Sequence, residues 1–135
     1  MWEHFSHQSD IGIRAKAGIL SRAFEDAGLG LTAIITDPKD VETLEPVNIE
    51  CGGENEEVLF FNWMSRVIYE MDIRKMLFGR YEVKIENLKL SAIAWGEKIN
   101  FDRHSPAVEP KAVTLNQLSV KEENKEWTVQ CVIDV

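Results

Sequence analysis

The stretch 55-NEEVLFFNWMSRVIYEMDIRK-75 decides how the rest of the chain is read. Phe60, Met64, Val67, Ile68 and Met71 recur at helical spacing and form one apolar stripe. Asn55 stands where a cap belongs. Glu56 and Glu57 suit the positive end of the helix dipole, and Arg74 and Lys75 suit the negative end. Trp63 and Phe61 widen the stripe beyond one face, which reads as core or a partner-facing edge rather than a cofactor box. Gly52-Gly53 separates this helix from an alternating strand that precedes it.

A second helix lies upstream. Leu20, Ala23, Phe24, Ala27, Leu31, Ile34 and Ile35 keep the 3.6-residue period, and Asp37-Pro38 stops it. Gly28 and Gly30 each cost such a helix about 1 kcal/mol relative to alanine. They imply close approach of another element or a local break. Asp37 either ends this helix or joins a site.

Strands account for the remainder. Val47, Ile49 and Cys51 share one parity; Tyr81, Val83 and Ile85 alternate with charged residues, and Leu88, Leu90, Ala92 and Ala94 follow a tight turn near Asn87, as in a hairpin. Val113 and Leu115 hold one parity while Leu118 and Val120 hold the other, so a β-bulge is expected at Asn116-Gln117. The last strand, Trp127 to Val135, follows a turn made from the charged run Lys121 to Glu126. A first strand opens at Asp10. The order is therefore β-α-β-α-β-β-β-β, an α+β class chain with two helices packed on one mostly antiparallel or mixed sheet, residues 1–135 forming a single domain.

Bulk properties limit the function. The 135 residues carry a net charge of −8 and the pI is 4.9. Such a field repels phosphate backbones and favours basic partners, which argues against direct, non-specific nucleic-acid binding. Cys51 and Cys131 follow the apolar parity of their strands and form no CxxC, as expected of buried thiols in a reducing compartment. Nothing resembles a signal peptide or an apolar span, so a cytoplasmic protein is expected.

Chemistry-bearing motifs are few. Gly52-Gly53 lacks the Lys-Ser/Thr of a P-loop, and no GxGxxG or G-x-S-x-G occurs. His4, His7 and Asp10 are spaced three apart, which in extended chain alternates faces and disfavours a zinc site. Carboxylates are more informative. Asp10 opens a strand; Asp134 lies off the apolar parity of the last one and precedes the terminal carboxylate on Val135. If those strands are neighbours, three oxygen donors meet. Two carboxylates about 4 Å apart repel by roughly 4 kcal/mol at a dielectric of 20, and a hard divalent cation such as Ca²⁺ or Mg²⁺ would relieve this.

Six ordered segments, "HQSDIGI", "AFEDAGLGL", "FFNWMSRVIYEMD", "WGEKINFDRH", "PKAVT" and "VIDV", together resemble the archease family across nearly the whole chain. The resemblance implies an accessory protein, not an enzyme in its own right, that activates an RtcB-type RNA ligase in tRNA splicing and RNA repair. It would promote GTP-dependent guanylylation of the ligase and repeated turnover. It also implies a divalent metal, Ca²⁺ or Mg²⁺/Mn²⁺, held by Asp10, Asp134 and the Val135 carboxylate, and a functionally important lysine at Lys111. His7 and His104 match family positions with open roles. Two departures stand out: Leu115-Asn116 replaces the family's Tyr-His pair, and His7-Gln8-Ser9-Asp10 replaces the usual H-T-A-D. Rival readings are a metal-stabilised structural or chaperone-like module and a free-standing metal-dependent hydrolase.

Overall fold

The computed structural model describes residues 1–135. Its strands are β1 (Trp2–His7), β2 (Asp10–Ala17), β3 (Glu45–Gly52), β4 (Met76–Glu86), β5 (Lys89–Lys98), β6 (Ala112–Val113), β7 (Ser119–Glu123) and β8 (Glu126–Asp134). Its helices are α1 (Leu20–Ile35), α2 (Glu56–Arg74) and the single turn α3 (Phe101–His104). All pairings are antiparallel. The α+β class and the two long helices agree with the sequence reading.

Three expectations change. First, the strands divide into two sheets rather than one: β1-β2-β8-β6, with β7 also on β8, and β3-β5-β4. Both long helices touch both sheets, α1 lying against β2 and β4 and α2 against β3 and β6. Phe24, Leu31, Phe60, Trp63 and Met64 are consequently sealed from solvent. Second, an unanticipated edge strand, β1, precedes β2. Its burial does not alternate, because an edge strand needs only a few anchors: here His4 Nε2–H donates to the Gly30 carbonyl (2.8 Å) and Phe5 covers Gly12. Third, the expected bulged strand is broken into β6 and β7. Between the pairs Val113–Ile133 and Ser119–Gln130 this segment has five residues where β8 has two, and the surplus loops out at 114–118 with Gln117 at φ 53°. The parity slip was real; its size exceeds one residue.

The second helix is built as its sequence dictates. Asn55 Oδ1 accepts from Val58 N–H at 2.9 Å, and Lys75 closes the helix in the left-handed region at φ 55°. Trp63 Nε1–H donates to the Phe24 carbonyl (3.0 Å), cross-linking the helices inside the core. Gly28 and Gly30 report close approach rather than a break. A Cβ on Gly28 would lie 2.9 Å from the Tyr81 ring, and one on Gly30 would lie 2.8 Å from Ile13. Asp37 accepts from Lys39 N–H and so starts the turn Pro38–Asp40; α1 is closed before it by Thr36, whose N–H donates to the Thr32 carbonyl. The Lys121–Glu126 run contracts to a two-residue turn, Asn124-Lys125, both at positive φ; its first part belongs to β7. That pattern, repeated at Asn87-Leu88, matches strand twist in tight hairpins.

Cys131 is buried and its thiol is pushed up to about 12 by burial alone. Cys51 is half-buried; desolvation raises it to about 11 against the opposing charge of Arg66. Both are unpaired thiols on different sheets. No helix is long and apolar enough to cross a membrane.

Candidate functional site

The site is set by the register of the first sheet. His7 pairs with Asp10 across β1 and β2, and Ile11 pairs with Ile133 across β2 and β8. The β2–β8 ladder ends at that pair; continued by one residue, the same register sets Asp10 against Asp134, which itself pairs with Ala112 of β6. Directly opposed side chains in an antiparallel pair lie on one face with Cβ atoms about 4.5–5.5 Å apart. A single row, His7–Asp10–Asp134–Ala112, thus crosses the sheet end. The neighbourhood assumed from sequence between the first-read and last strands is present.

The next rows inward explain why this row is rigid. Phe5, Gly12 and Val132 form an apolar row in which the Phe5 ring occupies the space a Cβ on Gly12 would need. The Arg14 guanidinium covers Phe5 at 4.6 Å, donates to Glu3 (2.8 Å) and, through Nε–H, to Gln130 (3.0 Å). Gln130 in turn donates to the Gln117 carbonyl at 2.9 Å, fastening the 114–118 loop to the same face. Charged residues here are matched, whereas the carboxylates of the end row have no cationic partner among the salt bridges.

His7 Nδ1 is buried and lacks any hydrogen-bond partner. Leaving such an atom unmet costs about 1–3 kcal/mol. No group of three His, Cys, Asp or Glu side chains converges as a metal site. The donor set read from sequence instead comprises two carboxylate side chains and a main-chain terminus. Its all-oxygen chemistry fits a hard divalent cation with water completing the shell; the unmet His7 nitrogen is a donor of the kind softer metals take and adds nothing to that preference. His4 is engaged with the Gly30 carbonyl, away from this row, as the alternation of faces requires.

Lys111 is exposed and tied to the row through the main chain: its N–H donates to the Asp134 carbonyl at 2.8 Å. Its side chain lines a hollow with Phe61 and Tyr69 of α2. Lysine and carboxylates therefore share the sheet end but open toward different sides of it.

His104 belongs to another place. Its side chain has no exposed surface, Nδ1 accepts from Asn100 N–H (2.9 Å), and Nε2 therefore carries the proton toward Glu97 (3.1 Å). Its carbonyl accepts from Thr36 at 2.7 Å, which locks the end of α1. Burial alone would raise the Glu97 carboxyl, but donation from Arg103, the Glu42 N–H and His104 outweighs it and lowers Glu97 to about 2. This trio is a clasp between α1, β5 and α3. Sequence gave no warning of it, since Glu97 reads as one more exposed strand carboxylate. The hollows beside α2 were equally hidden, although Phe61 as a partner-facing edge pointed toward one.

A small antiparallel α+β domain with an acidic row at one sheet end, held by a clamped outer face, is the class of protein these features define. The chain belongs to the archease family: the model of the Archease protein family (MTH1598/TM1083) matches residues 2–135. It is 35% identical to Protein archease of Pyrococcus abyssi and 34% identical to that of Pyrococcus furiosus, in each case over 99% of this chain and 98% of the relative. The solution structure of Methanobacterium thermoautotrophicum protein 1598 superposes with a TM-score of 0.87 at 28% identity, covering 99% of this chain and 98% of that one. A Thermotoga maritima protein described as an archease, possible chaperone, shares the fold at a TM-score of 0.68 and 18% identity, over 98% and 96%.

Proposed function

We propose that this protein is an accessory factor that activates an RtcB-type RNA ligase, promoting GTP-dependent guanylylation of the ligase and its repeated turnover. The observation that carries the reading is the row His7–Asp10–Asp134, with Lys111 pinned to Asp134 through the main chain. On this reading Asp10, Asp134 and the Val135 carboxylate hold a divalent cation, Ca²⁺ or Mg²⁺/Mn²⁺. The cation supplies positive charge able to meet phosphate oxygens. The chain's own residues do the positioning: the Phe5–Gly12–Val132 row and the Arg14 clamp hold the strand ends in register, and Lys111 presents an exposed cation at the same sheet end, on its α2 side. The net charge of −8 complements the basic cleft of an enzyme that handles RNA, acting on encounter and orientation.

The test is covalent guanylylation of limiting ligase with labelled GTP, with and without this protein, comparing Asp10→Ala and Lys111→Ala. Acceleration by the wild type and its loss in both folded variants is the expected result. Retained acceleration in either variant removes that residue from the reading.

A structural or chaperone-like module is the second reading, favoured by the position of the row, where a cation would tie β8 to β2. It requires that removing metal lowers the melting temperature while ligase activation persists.

A further inference from the structure

Two hollows flank α2 on the side where Lys111 lies, one of 480 Å³ and one of 470 Å³. They are one groove. Ile68, Asp72, Glu109 and Pro110 line both, so the helix face and the chain running from Pro106 to Ala112 form continuous walls. The larger hollow is floored by apolar side chains, among them Met71, Met76 and Ile99, and overhung by Phe101, whose side chain is 71% exposed. Tyr69 at 50% and Ile73 at 52% continue the apolar surface along the helix. Water pays no penalty for leaving such a surface, and a partner's apolar side chain gains by entering it.

The charges in the groove say what kind of partner. Asp72, from α2, and Glu109, from the facing chain, each line both hollows. Glu109 makes no ion pair, and Asp72 only a loose one, 3.5 Å from Lys75 with both side chains mostly exposed. A lysine marks each end: Lys75 in the apolar hollow and Lys111 in the other. The pattern along the groove is an apolar hollow edged by Lys75, then the two carboxylates, then Lys111.

We propose that this groove seats an extended segment of a partner protein in which a large apolar side chain is followed by a lysine or arginine, the apolar group entering the Met71–Ile99 hollow and the cation lying between Asp72 and Glu109. The segment then runs toward Lys111, at the sheet end that also carries the carboxylate row. The inference rests on the partner-activation reading above and adds the means by which the partner is gripped. Buried apolar contact supplies holding and the flanking charge supplies register, the usual division in peptide recognition.

The test measures ligase binding by isothermal titration calorimetry and the protein concentration giving half-maximal guanylylation. It compares the wild type with Asp72→Lys/Glu109→Lys and with Glu122→Lys/Glu123→Lys, an equal charge change on exposed positions of β7. The groove pair should weaken binding and raise that concentration by about tenfold or more, with stimulation recovered at saturation, while the β7 pair stays close to wild type. Equal effects from both pairs, or none from the groove pair, overturn the proposal. A second arm titrates ¹⁵N-labelled protein with the blocked peptide Gly-Ser-Leu-Phe-Arg-Ser-Gly and its Arg-to-Glu counterpart. Amide shifts confined to the groove and specific to the arginine peptide are expected. Should the wild type neither bind nor stimulate the ligase, that arm decides alone: groove shifts uphold the docking site while the ligase reading falls, and their absence at millimolar peptide overturns the docking site as well.

Discussion

Replacing Asp10 by asparagine should raise stability without metal and lower it with metal, and this reversal of sign is the sharpest check on the acidic row. Asp10 and Asp134 are register-opposed, so their Cβ atoms lie about 5 Å apart. At that separation two charges repel by about 3 kcal/mol at a dielectric of 20 and about 1 kcal/mol in water. Asp134 is exposed and Asp10 half-buried, which places the repulsion near the lower value. Asparagine removes it while keeping shape and hydrogen-bonding capacity. In EDTA, Asp10→Asn should therefore melt about 3–5 °C above the wild type, the shift that about 1 kcal/mol produces in a domain of this size. A cation bound by the wild type at a hundred times its Kd adds about 2.7 kcal/mol, which reverses the ranking. Thermal unfolding followed by circular dichroism in EDTA, Ca²⁺, Mg²⁺ and Mn²⁺ measures both effects. A variant less stable than the wild type in EDTA, or stabilised equally by the cation, refutes the argument.

Two further outcomes are expected. Glu97 titrates near 2 in the folded protein against an ordinary 4.5, so its clasp contributes fully above about 4.5 and that contribution is lost as pH falls toward 2; Glu97→Gln should flatten the acid limb of a stability profile measured by urea unfolding, and an unchanged limb would remove Glu97 from the acid response. Gly28→Ala sets two effects against each other. Helix propensity favours alanine by about 1 kcal/mol, but its Cβ would sit 2.9 Å from a Tyr81 ring that contacts Phe78 and Trp63 edge to face and hydrogen-bonds Thr32 at 2.9 Å. Overpacking at about 1–3 kcal/mol should win, and a urea midpoint above that of the wild type would show that the ring yields.

Local chemistry was legible where it acts locally. Asn55, the Phe60–Met71 stripe and Asp37-Pro38 announced the helices because capping and 3.6-residue burial are written in neighbouring residues. Asp10 and Asp134 could be nominated because a carboxylate off the apolar parity of a strand is visible in one dimension. β1 was missed because an edge strand anchored by His4 and Phe5 has no period to detect. His104 could be noticed but not placed, since its burial depends on Glu97, Asn100 and Thr36.

The sequence by itself determined the two long helices, the β4–β5 and β7–β8 hairpins and the acidic, apolar-cored character of this protein, since each follows from interactions within a few residues or from composition. Only the tertiary structure decided that the strands split into two sheets with both helices touching each. It also decided that Asp10 faces Asp134 and that Lys111 opens onto a groove beside α2. Those outcomes depend on which strand pairs with which and in what register, and register is a relation between residues more than a hundred positions apart in Ile11–Ile133. No local preference encodes it; burying both faces of the core at once does.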